Sequence, residues 1–279
     1  MPELPEVQTV VSRLDARLRG AVVESVRLLR RDVVKHGPRA LEDALVRKKV
    51  QQIRRHGKRI IWELDPDTVF NVHLGMTGNL VLVSATSPLA PHTHLRVRFA
   101  GIDDELRFRD ARRFGGVWLS DGRGDGRDGR FSRPLGPDAL AIRLPQFREL
   151  LGRDRQIKAL LMDQQTIAGM GNIYCDESLH RSRIHPLSAA SRLTDEEIQR
   201  LLGSIRNVLR SAIRAGGSSL RDYRNADDQE GWFQIRHRVY GREGRPCRRC
   251  GATVRRIVVS SRSTWFCPTC QKRRRARRR

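Results

Sequence analysis

Between Glu6 and Gly20 the apolar positions Val7, Val10, Val11, Leu14 and Leu18 recur three and four residues apart. That spacing gathers them on one face and predicts a helix, closed by Gly20. The helix follows the stretch MPELPE, whose two prolines hold the lead-in extended. From Ala21 to about Ser120 the pattern changes. The runs AVVESVRLL, RIIWEL, TVFNVHLG, NLVLVS, HLRVRFA and ELRFRD are short, β-rich and partly alternating, with Gly, Asp and Pro between them. LEDALVRKKV reads as a short helix among the strands. These features predict an N-terminal β-sandwich or barrel-like domain flanked by the first helix.

The stretch SDGRGDGRDGRFSRP, from Ser120 to Pro134, reads as a loop or linker. Beyond Pro145 the period is helical. QFRELLGR, IKALLMDQQ and GNIYCDESLHRSR predict short helices, and TDEEIQRLLGSIRNVLRSAIRAGG predicts a long one. Thr194 and Glu197 fit a capping box there, and Ile198, Leu201, Leu202, Ile205, Val208, Leu209 and Ile213 form its apolar stripe. A polar loop, Ser218 to Gln234, leads to a cysteine-rich end.

Charge narrows the class of partner. The formal net charge is +24 over 279 residues. Such an excess predicts a polyanion, nucleic acid before an anionic membrane surface. The terminal KRRRARRR supplies seven of the positive charges, and the rest of the chain remains strongly basic. No apolar run has the length of a membrane span and no signal-peptide core follows the N-terminus, so a soluble intracellular protein is expected.

The strongest chemical signal is Cys247-x2-Cys250, sixteen residues, then Cys267-x2-Cys270. Two such pairs each grip one side of a tetrahedral Zn²⁺, and the segment between them suits a hairpin. Four thiolates leave no position for water, so the expected zinc is structural. Other positions are weaker signals. If Met1 is trimmed, Pro2 carries a free secondary amine with an ordinary pKa near 8, a usable nucleophile with Glu3 beside it. AGMGNIY, which contains Asn172, is a Gly-containing turn before a helix and suits phosphate. Arg112 and Phe114 fall on one side of an extended segment, as an intercalating wedge needs, although an exposed hairpin turn is the plainer reading of these residues. Lys58, Met76, His92, His94, Cys175 and Arg262 each have a plain structural reading as well.

Taken together, PELPEV, HLGMTG, ARRFGG, LLMDQQTIAGMGNIYCDESL, AGGSSLRDY, QIRHRVYGREGRPCRRCG and the four-cysteine end follow the order found in one family. Over almost its whole length the chain resembles the formamidopyrimidine-DNA glycosylases, bacterial enzymes that remove oxidised purines from DNA. The resemblance implies an α+β multidomain fold. Residues 1–134 would be the β-sandwich catalytic domain, 135–235 a helix–two-turn–helix domain with a lesion loop, 236–272 a zinc finger and 273–279 a basic tail. It implies one structural Zn²⁺, duplex DNA containing oxidised bases as partner, a monomer, and a cytoplasmic, nucleoid-associated enzyme.

It also implies roles. Pro2 would be the nucleophile and Glu3 a proton donor. Lys58 would serve β-elimination and Arg262 δ-elimination. His92, Arg153, Lys158 and Asn172 would contact DNA. Met76, Arg112 and Phe114 would fill the gap left by the extruded nucleotide, Arg112 facing the orphaned cytosine. Ala111 stands where the family commonly has Pro, Arg153 stands in place of a lysine, and NADDQEGWFQ is more acidic than is usual for a lesion loop. An endonuclease VIII-like enzyme for oxidised pyrimidines is the nearest alternative, and Leu4 and the Met–Arg–Phe set speak against it. A zinc-dependent DNA-binding protein without chemistry is disfavoured by Pro2, Glu3 and Lys58, and an RNA-binding module by the ordered motif set.

Overall fold

The structure is a computed structural model that describes residues 2–36, 41–65, 67–120, 134–219 and 223–273. The Gly/Asp/Arg-rich stretch, from residue 121 to 133, and all but the first two residues of the basic end lie outside the described residues. The chain divides into two compact units, Met1–Pro134 with Ile213–Gln234, and Leu135–Ala212 with Ile235–Arg279. Among the described residues no helix is long and apolar enough to cross a membrane.

The first unit opens with α1 (Leu4–Leu18), which has Pro5 in its first turn and buries Val7, Val10, Val11, Leu14 and Leu18 as its spacing predicts. Then follow β1 (Val23–Leu28), β2 (Val34–His36), α2 (Leu41–Leu45), β3 (Lys49–His56), β4 (Arg59–Asp65), β5 (Thr68–His73), β6 (Asn79–Ser84), β7 (Thr93–Phe99), β8 (Asp104–Arg109) and β9 (Gly116–Ser120). One sheet has the order β1-β7-β8-β6 and the other β2-β9-β5-β4-β3. Their apolar residues share one core with α1, in which Trp62 of β4 stacks on Phe99 of β7. The helix expected over residues 41–50 ends at Leu45, and Lys49 already belongs to β3. β3 itself, KVQQIRRH, buries only Val50 and Ile53, because as the edge strand of its sheet it leaves most side chains exposed.

Register decides what this unit can do. In the five-stranded sheet Arg59 pairs with His73, and His73 with Gly116. In the four-stranded sheet Asn79 pairs with Arg109, and Arg109 with Thr93. The β3–β4 turn, the β5–β6 turn, the β8–β9 loop and the entry to β7 therefore emerge at one end of the sandwich.

The second unit contains α3 (Leu144–Leu151), α4 (Ile157–Met162), α5 (Asn172–Ser182), most of α6 (Asp195–Arg214) and the hairpin β10 (Arg255–Val259) and β11 (Arg262–Phe266). The capping box of α6 is made: Thr194 N–H donates to Glu197 Oε2 at 3.0 Å and Glu197 N–H to Thr194 Oγ1 at 3.3 Å. Its stripe is buried from Ile198 to Leu209, whereas Ile213 is only half-buried and Ala212 takes the last core position.

Candidate active site and zinc centre

Pro2 and Glu3 are both buried, and Glu3 is the residue from which α1 starts. Glu6 fixes this corner. Its Oε2 accepts the Glu3 N–H at 2.8 Å, and its Oε1 accepts the Ser218 N–H at 2.7 Å. Its carbonyl accepts the Tyr223 hydroxyl at 3.1 Å. These bonds, and that from Leu82 N–H to the Ala226 carbonyl, explain why residues 213–234 group with the sandwich. Burial pushes the Tyr223 phenol well above its ordinary value, so it stays a donor. Nothing in the apolar pattern marks Glu6; its signal is the Glu3-x-x-Glu6 spacing of a helix start.

Gly217 lies against that carboxylate at φ +84°, and a Cβ there would meet the Glu6 carboxylate oxygen at 2.9 Å. Gly217→Ala is expected to destabilise the first unit by about 1–3 kcal/mol. Urea unfolding followed by tryptophan fluorescence measures it; an unchanged midpoint contradicts the packing described.

Lys58, also buried, sits in the β3–β4 turn. α1 lies along β3 with its start toward that turn, since Asp15 Oδ1 accepts the Ile53 N–H at 2.7 Å and, one helix section earlier, Gln8 Oε1 accepts Arg55 Nε–H at 3.0 Å. Arg55 Nη1 donates onward to the Gly57 carbonyl at 2.8 Å. Lys58 is thus carried to the end of α1 that bears Pro2 and Glu3.

Met76, Arg112 and Phe114 are exposed on the β5–β6 turn and the β8–β9 loop. Gly75 lets these two backbones touch. Its φ is +64°, and a Cβ there would fall 2.3 Å from the Gly115 nitrogen. Arg112 lies over the Phe114 ring with its guanidinium carbon 4.5 Å from the centroid, so the cation and the wedge share one orientation. Fully buried Asp110 ties the loops together. Its Oδ1 accepts the Thr77 hydroxyl at 2.5 Å and its Oδ2 the Gly115 N–H at 2.7 Å. Its own N–H donates to the carbonyl of His92, and its carbonyl bonds His94 Nε2 at 2.8 Å. His92 is exposed with φ 61° and Arg113 has φ 55°, two non-glycine residues held in the left-handed region beside the wedge. His94 is buried and structural, and Asp110 is a key residue that residue type alone does not distinguish. The acidic 225–230 segment also has a local explanation, because Asp227 pairs with Arg13 and Asp228 with Arg109.

In the second unit Arg153 is exposed, with Nη1 3.4 Å from Thr166 Oγ1. Asn172 opens α5 and donates from Nδ2 to the Ser263 carbonyl at 2.9 Å. Lys158 departs from expectation. Its side chain is fully buried, and its ammonium donates to Asp176 Oδ1 at 2.7 Å, Thr264 Oγ1 at 2.7 Å and the Ser263 carbonyl at 3.3 Å. Three donors meet three acceptors, so the group expected to touch DNA is spent inside the protein. Asp176 Oδ2 accepts the Trp265 N–H at 2.9 Å, while burial pushes its carboxyl up to about 7. Lys158 and Asn172 thus grip the carbonyl next to exposed Arg262, which begins β11 after the two-residue turn Ser260–Ser261. Lys158→Met is expected to cost about 3–5 kcal/mol by stranding Asp176, and Lys158→Met with Asp176→Leu to recover most of it. Chemical denaturation of the single and double variants tests this; a double variant as weak as the single one contradicts it.

Cys247, Cys250, Cys267 and Cys270 place their four Sγ atoms within 4.8 Å of one another. Tetrahedral Zn–S bonds of about 2.3 Å require edges of about 3.8 Å, so the set fits one zinc. The Arg249 N–H points at Cys247 Sγ and the Cys270 N–H at Cys267 Sγ, each at 3.4 Å. The Ala252 N–H is the main group drawing the Cys250 thiol down to about 7, whereas burial pushes the Cys267 thiol up and the Cys270 thiol up to about 12. Cys175 is fully buried away from this set, as a small apolar residue.

Comparison with known proteins agrees along the whole chain. Residues 1–117 match the formamidopyrimidine-DNA glycosylase N-terminal domain, 135–224 the H2TH domain of the same glycosylase, and 244–273 the zinc finger found in FPG and IleRS. The formamidopyrimidine-DNA glycosylase of Herpetosiphon aurantiacus is 41% identical over 278 residues, covering 97% of this chain and all of the relative. That of Thermus thermophilus is 42% identical, covering 97% and 98%. Among solved structures, a mutant of the Lactococcus lactis FPG in complex with DNA containing Fapy-dG superposes with a TM-score of 0.88 at 36% identity, over 98% of this chain and all of the other. The L. lactis Fpg with abasic-site DNA gives the same values.

Proposed function

The chain belongs to the formamidopyrimidine-DNA glycosylase family, and on that footing we propose that it is a bifunctional DNA glycosylase and abasic-site lyase. Its substrates are formamidopyrimidines and 8-oxoguanine in duplex DNA, and its place is base excision repair. The observation that supports this most is the gathering, at one end of the sandwich, of buried Lys58 near the start of α1, which carries Pro2 and Glu3, and the exposed set Met76, Arg112 and Phe114.

The chemistry follows from those groups. The amine of Pro2, freed by loss of Met1, attacks C1′ of the damaged nucleotide and the base departs. The C1′–N bond becomes an iminium as the ring oxygen leaves, protonated by Glu3. The iminium acidifies the C2′ proton, so Lys58 can act as base for loss of the 3′ phosphate. Arg262 serves the second elimination, of the 5′ phosphate. C1′ is reached only when the nucleotide leaves the stack, and Met76 and Phe114 fill the space while Arg112 faces the orphaned base. His92, Arg153 and Asn172 hold phosphates. Lys158 acts behind them, as a positioning residue for the Ser263 carbonyl. The DNA lies in the cytoplasm, on the nucleoid.

Duplexes carrying one lesion each, assayed for base release and nicking, test the proposal. Release of 8-oxoguanine and formamidopyrimidines with loss of both flanking phosphates is expected; preference for oxidised pyrimidines would move the chain to the endonuclease VIII-like reading. Binding to an uncleavable abasic analogue should fall with salt by about 0.9 log units per log unit for each phosphate neutralised. A flat titration contradicts an electrostatic interface.

A further inference from the structure

The zinc centre has a feature beyond its four cysteines. His180, in the last turn of α5, is fully buried, and its Nε2 lies 3.3 Å from Cys247 Sγ. Its Nδ1 is buried with no hydrogen-bond partner among the described residues. A neutral imidazole has one N–H, so the proton has two places. On Nδ1 it would be a buried donor with no acceptor, and the Nε2 lone pair would face the sulfur of a thiolate. On Nε2 it meets that sulfur, and Nδ1 is left as one unpaired acceptor. The first arrangement strands a donor and also sets a lone pair against a thiolate, so the second costs less.

We propose that His180 donates an Nε2–H···S hydrogen bond to the Cys247 thiolate and holds zinc in the finger as a positioning residue outside the ligand set. Four thiolates around Zn²⁺ leave a net charge of −2, and a donor on one sulfur withdraws part of it. That sulfur then competes less well for protons and attacks electrophiles more slowly. The surroundings keep the ring in place. Arg249, between the two cysteines of its pair, donates from Nη1 to the His180 carbonyl and from Nη2 to the Arg181 carbonyl, each at 3.3 Å. The second pair is fastened to the same end of α5, because Gln271 accepts the Cys267 N–H and donates to the Ile184 carbonyl, both at 2.9 Å. His180 thus reaches a ligand sulfur directly from a helix outside the finger.

The test uses the full-length zinc protein. Zinc release to a chromogenic chelator is timed in the presence of a thiol-blocking reagent. His180→Phe keeps the shape and lacks the donor, and should release zinc at least about tenfold faster. His180→Gln puts an amide N–H where Nε2 was, and should stay within about threefold of the parent. With Co²⁺ in place of zinc, the thiolate-to-cobalt charge-transfer band should move to longer wavelength in His180→Phe and return in His180→Gln. Equal release rates and an unmoved band in His180→Phe overturn the proposal. ¹⁵N NMR of the imidazoles in the unsubstituted protein decides independently of any variant: an Nε2–H tautomer at His180 supports it, and an Nδ1–H tautomer overturns it.

Discussion

With Pro2→Gly, the covalent complex trapped by borohydride on abasic-site DNA is expected to fall by at least about a hundredfold. Binding to an uncleavable abasic analogue should stay within about threefold, since that interface is spread over many phosphates. Glycine retains an α-amine but loses the ring that fixes its direction, at a corner where Glu3 is buried and its N–H is held by Glu6. Retention of Met1 should have the same effect, because it moves the free amine one residue, about 3.8 Å, along the chain. Gel electrophoresis of trapped complexes, with mass spectrometry of the N-terminus, reads both outcomes. Unchanged trapping in Pro2→Gly, or full activity in protein that keeps its methionine, removes Pro2 from the mechanism.

Zinc removal should be as severe. The core around the metal consists of Val239, Val254 and two of the cysteines, with Ala252, Trp265 and Cys270 partly buried against them. So little apolar surface cannot offset the entropy of ordering the segment from Cys247 to Gln271. Bound zinc supplies on the order of 10–16 kcal/mol in comparable fingers. Exhaustive chelation is therefore expected to unfold the hairpin bearing Arg262 and to abolish DNA binding, while the sandwich, with its own core, stays folded. Metal analysis, near-UV circular dichroism and a binding titration on one sample check this. Zinc-free protein with full nicking activity contradicts it.

These two effects draw on parts of the chain that were legible to very different degrees. The cysteine pairs declare their chemistry by spacing, and β10–β11 stands where the intervening segment predicts a hairpin. The face of α1 and the stripe of α6 follow from periodicity, because burying one side of a helix imposes that spacing. β3 escaped because an edge strand shows no clear alternation, and the last residues of the helix expected before it proved to be strand. The wedge residues lie on loops, where no period exists: Arg112 and Phe114 stand out only as one reading of their spacing beside a plain hairpin turn, and Met76 joins them only through the resemblance to a family. Asp110 and His180 could not be recognised by residue type, and Glu6 only as part of a helix start. Each acts through a partner brought close by the fold, 33 residues away for Thr77, 212 for Ser218 and 67 for Cys247. Lys158 shows the converse: a cation in a basic protein looks like a phosphate contact until Asp176 and Thr264 are seen to enclose it.

The course of β9 has a practical meaning. The strand leaves the wedge loop at Gly116 and runs the length of the sheet to Ser120, which pairs with Val69 and accepts a hydrogen bond from Asn71 Nδ2 at 3.0 Å. Ser120 is therefore a pinned exit at the opposite end from the chemistry. Additions spliced in just after it, such as a fluorophore-labelling tag, would be insulated from the reacting groups by five residues of paired strand.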